Sequence, residues 1–276
     1  MDFIKVDQGK CTKCGTCVAI CPGVIGMRET GPQAIRNLCI SCGQCVTVCP
    51  EGALDNKNSP LDRQVPIVED SVLNSDIVAQ FLRSRRSIRN YQLKGVSRDK
   101  IVQLLDIARM APTACNSQGI AYYIVDNPDT LQQISATVIE WTASELKNSP
   151  VMAASKYAPH TAMMVEQYRQ RSEDVVLRSA PCLIIAVTNK DSFATGRDNT
   201  YIAFSYLQLF ATSLGLGTCW AGLFEYCAAS GYEPLIKLLN IPINMQVTSG
   251  MMVGYPKHTY HRLVERNPLQ VTWQYC

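Results

Sequence analysis

The sequence predicts an α+β chain: a small cysteine-rich unit held together by metal, then a larger layered domain in which helices flank a sheet. Three observations lead there. Eight of the thirteen cysteines lie between Cys11 and Cys49, in two copies of the pattern CxxCxxCxxxCP. A stretch rich in Asp, Asn, Ser and Pro, EGALDNKNSPLDRQVP, follows them. Beyond it, segments of helical and of strand patterning alternate. Hydrophobic residues make up 47% of the chain and charged ones 18%, enough to bury a core and to rule out disorder. The 26 basic and 23 acidic residues are too evenly matched for a protein built mainly to neutralise nucleic-acid phosphates.

The division expected is residues 1–55 for the cysteine unit, 56–73 for a linker and 74–276 for the larger domain. The two cysteine copies, Cys11 to Cys21 and Cys39 to Cys49, are the repeat visible in the chain. A unit this small cannot bury enough apolar surface to fold unaided, so its cysteines must supply the missing stability. An odd cysteine count and the polar opening MDFIKVDQGK argue against a secreted disulfide scaffold. A reducing cytoplasm with metal-bound thiolates is expected instead.

A [4Fe–4S] cube needs four converging thiolates. CxxCxxC supplies three from one loop, and the remote cysteine of CxxxCP supplies a fourth from the other copy. Two structural zinc sites are the alternative, but zinc usually takes two separated CxxC pairs, which leaves the third cysteine of each copy unexplained. Over roughly residues 1–55 the chain resembles bacterial two-cluster ferredoxins. That resemblance implies Cys11, Cys14, Cys17 and Cys49 on one cluster and Cys39, Cys42, Cys45 and Cys21 on the second. Pro22 and Pro50 follow the crossing cysteines, and Gly15 and Gly43 relieve crowding between the second and third ligands. Two neighbouring clusters serve to move single electrons; their destination must come from the larger domain.

In that domain Ser75 is read as the cap of a helix running to about Ser84, with Ile77, Phe81 and Leu82 apolar. Ser97 is read as the cap of a second, with Ile101, Leu104, Leu105 and Ala108 on one face and Pro112 as its stop. AYYIV (121–125), PCLIIAVTN (181–189), MQVTSGMMVGY (245–255) and LQVTWQY (269–275) are rich in β-branched and aromatic residues and are read as strands. Asn199 to Phe224 carries no charge and is long enough to span a bilayer. Its Ser205, Gln208, Thr212, Ser213 and Thr218, the interrupting GLGTCWAG and the missing basic flank favour a helix in the core or at a subunit interface. No membrane association is expected.

FLRSRRSIRNY places Arg83, Arg85, Arg86 and Arg89 within seven residues. On charge alone this is a solvated helix end; with its serine it also suits a doubly charged phosphate. A second basic group lies in YHRLVER. Neither a strand-borne GxGxxG nor a P-loop is present. The three histidines, His160, His258 and His261, show no metal spacing, and Cys115, Cys182, Cys219, Cys227 and Cys276 read as packing residues.

RRSIR (85–89), APTACNSQ (111–118), LGLGTCWAG (214–222) and VGYP…YHRLVERNPLQVTW (253–273), in this order, resemble the FMN-dependent nitroreductase family, in particular members fused to a ferredoxin module. The resemblance implies an α/β sandwich with a central, mainly antiparallel sheet flanked by helices, in a homodimer whose C-terminal strand reaches across to the partner. It implies FMN, with Arg85, Arg86, Ser87 and Arg89 around the phosphate and ribityl chain. Asn116, flanked by Ser117 and Gln118, would meet the pyrimidine edge. Ala221 and Gly222 would lie on the loop whose backbone amide faces flavin N5, and Arg262 and Arg266 near the phosphate. Some members carry glutamate where Gly222 stands. No side-chain nucleophile is implied, because N5 carries the hydride.

The activity expected is transfer of electrons from reduced ferredoxin or NAD(P)H, through two [4Fe–4S] clusters and FMN, to an electron-poor small molecule such as a nitroaromatic, a quinone or an activated alkene. The rival readings are a non-catalytic electron carrier or redox sensor, and a zinc-stabilised nucleic-acid binder.

Overall fold

The internal repeat of the sequence becomes a repeat of structure. In the computed structural model, which describes residues 3–68, 73–191 and 195–274, β1 (Ile4–Val6), α1 (Thr16–Ile20) and β2 (Ile25–Arg28) come first. β3 (Gly31–Ala34), α2 (Gln44–Thr47) and β4 (Leu54–Asn56) answer them in the second copy. β1 pairs antiparallel with β4, Ile4 opposite Asn56, and β2 with β3, Ile25 opposite Ala34. Each short helix starts after a glycine in the left-handed region, Gly15 at φ 80° and Gly43 at φ 71°, a conformation that other residues resist. The buried cluster of this unit is Cys17, Ile25, Cys45, Val46 and Leu54. Two of the five are cysteines, so apolar packing alone is slight.

The chain divides into two compact units, Met1–Leu73 with Ala114–Ser117, and Asn74–Thr113 with Gln118–Cys276. The stretch expected to be a linker opens as part of the first unit. Asn56 is buried and closes β4, the Asp55 carboxylate accepts from Leu61 N at 2.8 Å, and Leu61–Arg63 forms a single 3-10 turn. Residues 69–72 of that stretch lie outside the described residues.

The second unit begins with α3 (Ser75–Ser84), capped by Asn74, whose Oδ1 accepts from Asp76 N at 2.8 Å; Ser75 is therefore the first helical residue and not the cap. α4 (Arg98–Ala108) is capped by Ser97 as expected and ends four residues before Pro112. There follow β5 (Ile120–Val125), α5 (Pro128–Asn148), α6 (Pro150–Ala153), α7 (Ala158–Arg171), β6 (Cys182–Asn189), α8 (Gly196–Ser213), β7 (Gly217–Trp220), α9 (Gly222–Ala229), α10 (Glu233–Leu238) and β8 (Met245–Gly254). The sheet order is β5-β6-β8-β7, antiparallel at every ladder.

β6 shows why the sheet is central. Leu183, Ile185 and Val187 point into one core with Ile134, Val138, Phe224 and Leu235 from α5, α9 and α10. Cys182, Ile184 and Ala186 point into the other with Leu104, Phe204 and Leu207 from α4 and α8. A strand covered on both faces has no polar alternation, which accounts for the unbroken apolar run. The uncharged Asn199–Phe224 stretch resolves into most of α8, a turn at Gly215, β7 and the start of α9; Phe204, Leu207 and Ala211 are fully buried against the sheet. No helix among the described residues is long and apolar enough to cross a membrane.

One expected strand is absent. Among the described residues, 269–274 of LQVTWQY pair with no strand, and Leu269 and Trp273 are exposed. An extended segment gains ladder bonds only beside another strand. Tyr275 and Cys276 lie outside the described residues.

Candidate functional sites

Each half of the cysteine unit encloses a cavity, and the sulfurs sort across the repeat. Cys11, Cys14, Cys17 and Cys49 line one cavity; Cys21, Cys39, Cys42 and Cys45 line the other. The electrostatics show the same crossing. Burial pushes the Cys17 thiol up, and Cys49 and Cys14 add to it. Burial, then Cys45, Cys42 and Cys39, push Cys21 up. Among the described residues no three Cys, His, Asp or Glu side chains gather closely enough to hold a single ion. Four thiolates spread around a space suit a polynuclear core better than one zinc ion, which draws its ligands to a point.

Several donors point at these sulfurs. Ala53 N lies 3.3 Å from Cys49 Sγ, Ser41 N lies 3.4 Å from Cys39 Sγ, and the Thr16 hydroxyl lies 3.3 Å from Cys14 Sγ. The Asn56 side-chain nitrogen lies 3.6 Å from both Cys39 and Cys45. Sequence spacing gave no hint of Asn56, which reaches the sulfurs only once β4 has paired with β1.

In the second unit, the arginine-rich segment leaves α3 and runs beside β7. Ile88 N donates to Thr218 O at 2.9 Å, and Gly217 makes the approach possible, because any side chain there would collide with Ile88. This contact carries Arg85, Ser87 and Arg89 to the neighbourhood of Cys219. Burial pushes the Cys219 thiol up, while Arg89, Arg178, Arg85 and a hydrogen bond from Ser87 pull it down. Burial, then Arg266 and Arg86, make the Arg85 guanidinium easier to deprotonate than usual. Arg85, Arg89 and Arg178 thus all act on Cys219 and Arg266 acts on Arg85, and among the described residues no carboxylate forms an ion pair with any of the four. Guanidinium groups without an ion-paired acid suit an anionic ligand.

Arg178 is the residue that sequence reasoning missed. It stands alone in VVLRSAP. The Asp174 carboxylate bends this loop by accepting from Val176 N, Leu177 N and Ser179 N at 2.9–3.1 Å, leaving Arg178 and Ser179 at φ 57° and 53°. Arg86 is engaged differently from its neighbours. Its guanidinium donates to the carbonyls of Arg83 and Arg262 and lies 5.8 Å from the Tyr260 ring, so it ties the C-terminal segment to the arginine segment. Arg262 is exposed, its backbone held by that bond.

The remaining expected residues fall in two places. Asn116 sits with Cys115 in a 3-10 turn whose residues are left-handed, at φ 54° and 50°, and its amide donates to Ile40 O at 2.9 Å within the first unit. Cys115 is exposed. Gln118 is also exposed, at φ 49°, with its backbone N–H on Thr113 Oγ1. Ala221 and Gly222 form the β7–α9 junction. The Ala221 N–H is already bonded to Gly250 O at 2.9 Å. Gly222 opens α9, where a first-turn N–H has no intrahelical acceptor, and a side chain there would meet no atom within 4 Å. Of the two amides, that of Gly222 is the one free to donate. Glu225 braces the junction from behind, accepting from the Ser249 hydroxyl and from Gly250 N.

Comparison with known proteins identifies a family for each unit. Residues 82–255 match the nitroreductase family, and residues 10–54 match the 4Fe-4S dicluster domain. A protein of Methanothermobacter thermautotrophicus, provisionally named an NADH dehydrogenase/NAD(P)H nitroreductase, is 24% identical over 193 residues, 70% of this chain and 84% of the relative. A nitroreductase of Bacteroides fragilis solved with bound FMN superposes with a TM-score of 0.56 at 19% identity, covering 72% of this chain and all of its own. Iodotyrosine deiodinase, solved with FMN and 3-iodo-L-tyrosine, gives 0.54 at 20% identity over 71% of this chain and 98% of its own.

Proposed function

The chain belongs to the nitroreductase family, and from that premise we propose an FMN-dependent oxidoreductase fed by two [4Fe–4S] clusters. It takes electrons from reduced ferredoxin or NAD(P)H and delivers them to an electron-poor small molecule such as a nitroaromatic, a quinone or an activated alkene. The division into a cluster domain and a flavin domain at about residues 55–74 belongs to this proposal. The observation that carries it is the set of arginines, without an ion-paired carboxylate among the described residues, in the same chain as two four-cysteine cavities.

The residues present suit the groups proposed. FMN ends in a dianionic phosphate, and Arg85, Arg89, Arg178 and Arg266 with the Ser87 hydroxyl offer charge-assisted donors for it. Arg86 fastens the segment that carries Arg262 and Arg266 by donating to the Arg262 carbonyl, and Arg262 is assigned to the same phosphate. Asn116 and Gln118 are the polar side chains assigned to the pyrimidine edge, and Gly222 N–H the donor for N5. When bound, FMN supplies hydride chemistry and storage of an electron pair, while the protein supplies binding and electrostatics. Eight cysteines in the crossed sets would carry the clusters; such thiolates require a reducing compartment, for which we propose the cytoplasm.

A homodimer belongs to the same reading. Ile202 and Tyr206 of α8, with Leu269 and Trp273 of the C-terminal segment, leave apolar side chains exposed that a second copy would cover.

The test is steady-state turnover of a nitroaromatic and a quinone by oxygen-free protein supplied with NADH, NADPH or reduced ferredoxin. Turnover with at least one donor is expected, and Cys14→Ala should slow the ferredoxin-driven rate. Protein replete in iron and flavin that reduces neither acceptor with any donor would be an electron carrier or sensor, and the enzyme reading would fall.

A further inference from the structure

We propose that Asn56 makes the two clusters unequal, raising the reduction potential of the cluster held by Cys21, Cys39, Cys42 and Cys45 above that of its neighbour. The inference rests on the reading that both cysteine sets hold [4Fe–4S] clusters. Asn56 is 1% exposed, and its Nδ2 lies 3.6 Å from two of the four sulfurs, Cys39 and Cys45. Its orientation is fixed from the other side: Oδ1 accepts from Asn58 N at 2.9 Å, which leaves the NH₂ end facing the sulfurs. The backbone is held by the β1–β4 ladder, Asn56 opposite Ile4.

Adding one electron to a cluster makes its thiolate sulfurs more negative. N–H dipoles aimed at those sulfurs therefore stabilise the reduced state more than the oxidised one, and the potential rises. A dry setting strengthens this, because no water competes for the dipole.

The repeat supplies the contrast. The position equivalent to Asn56 in the first copy, 28 residues earlier by the offset of Cys11 from Cys39, is Arg28, which is exposed at the end of β2. Backbone N–H groups reach both sets, Ala53 at Cys49, Thr16 at Cys14 and Val18 at Cys17 in the first and Ser41 at Cys39 in the second, so the contrast lies in the side-chain donors. Those of the first set, Thr16 and Thr12, meet Cys14, an exposed cysteine where water competes. A buried amide shared between two sulfurs is thus confined to the second set among the described residues.

Reductive titration of the full-length protein with dithionite, followed by electron paramagnetic resonance with iron assayed alongside, tests this. The wild-type protein should show two separated midpoints. Asn56→Leu, close in shape but without a donor, should lower the higher midpoint and leave the lower one in place at unchanged iron content. Asn56→Ser, too short to reach the sulfurs, should act in the same direction and serves if the leucine packs badly. Full iron content with unchanged midpoints, or with both midpoints displaced equally, would overturn the inference. Protein that binds no iron at all would instead overturn the cluster reading beneath it.

Discussion

Removing the Arg178 guanidinium should weaken FMN binding and leave the fold intact, since the side chain is half-buried and has no acid partner among the described residues. A hydrogen bond to a charged group contributes about 1.5–3 kcal/mol, so Arg178→Ala should raise the FMN dissociation constant roughly ten- to hundred-fold. Titration of flavin-free protein followed by flavin fluorescence measures it; unchanged affinity would take Arg178 out of the phosphate site. Gly222 carries a sharper case. Proline is accepted at the first position of a helix and lacks the N–H, so Gly222→Pro should keep α9 and bound FMN while shifting the flavin midpoint potential. Gly222→Ala, which keeps the amide and meets no neighbour within 4 Å, should leave the potential where it was. An unaltered potential in the proline variant would mean that another group faces N5. The two crossed cysteine sets that line the cavities were readable from sequence because one residue type recurs at fixed spacing. Arg178 was not, because its place depends on a loop bent by Asp174.

Among the elements, β6 and its neighbours form a dry interior that titrates late. Burial pushes the Cys182 thiol of β6 and the Cys227 thiol of α9 up from 9.0 to about 12, and the Tyr122 hydroxyl of β5 up from 10.0 to about 12. These groups hold their protons in the folded chain at pH values where the unfolded chain has released them. The folded state then binds more protons than the unfolded state, and stability falls as pH rises from about 9. Thermal melts between pH 8 and 11 should show the melting temperature declining through that window; a flat profile would mean these groups are wetter than their burial implies. β5, β6 and β8 were legible because strands covered on both faces must be apolar throughout. β7 was not: its four residues, GTCW, lie inside a glycine-rich stretch that reads as a break. The 269–275 segment was read as a strand from composition, yet a strand is a pairing, and composition does not say with what.

At the scale of the whole molecule, the proposed function divides the work between two dissimilar units: thiolates that would take single electrons, and an arginine site that would hold a cofactor storing two. The family, the sheet between helix layers and the cysteine module were legible from motif order and repeat. The gathering of arginines from positions 85, 89, 178 and 266 was only half legible, because it is assembled by the fold. The measurement that bears most directly on the account is the iron and flavin content of the same oxygen-free preparation, with the Arg85→Ala/Arg262→Ala double variant beside it. The account predicts about eight irons and one FMN per wild-type chain, with flavin lost and iron kept in the double variant. Iron without extractable flavin in the wild type, even after reconstitution, would contradict it.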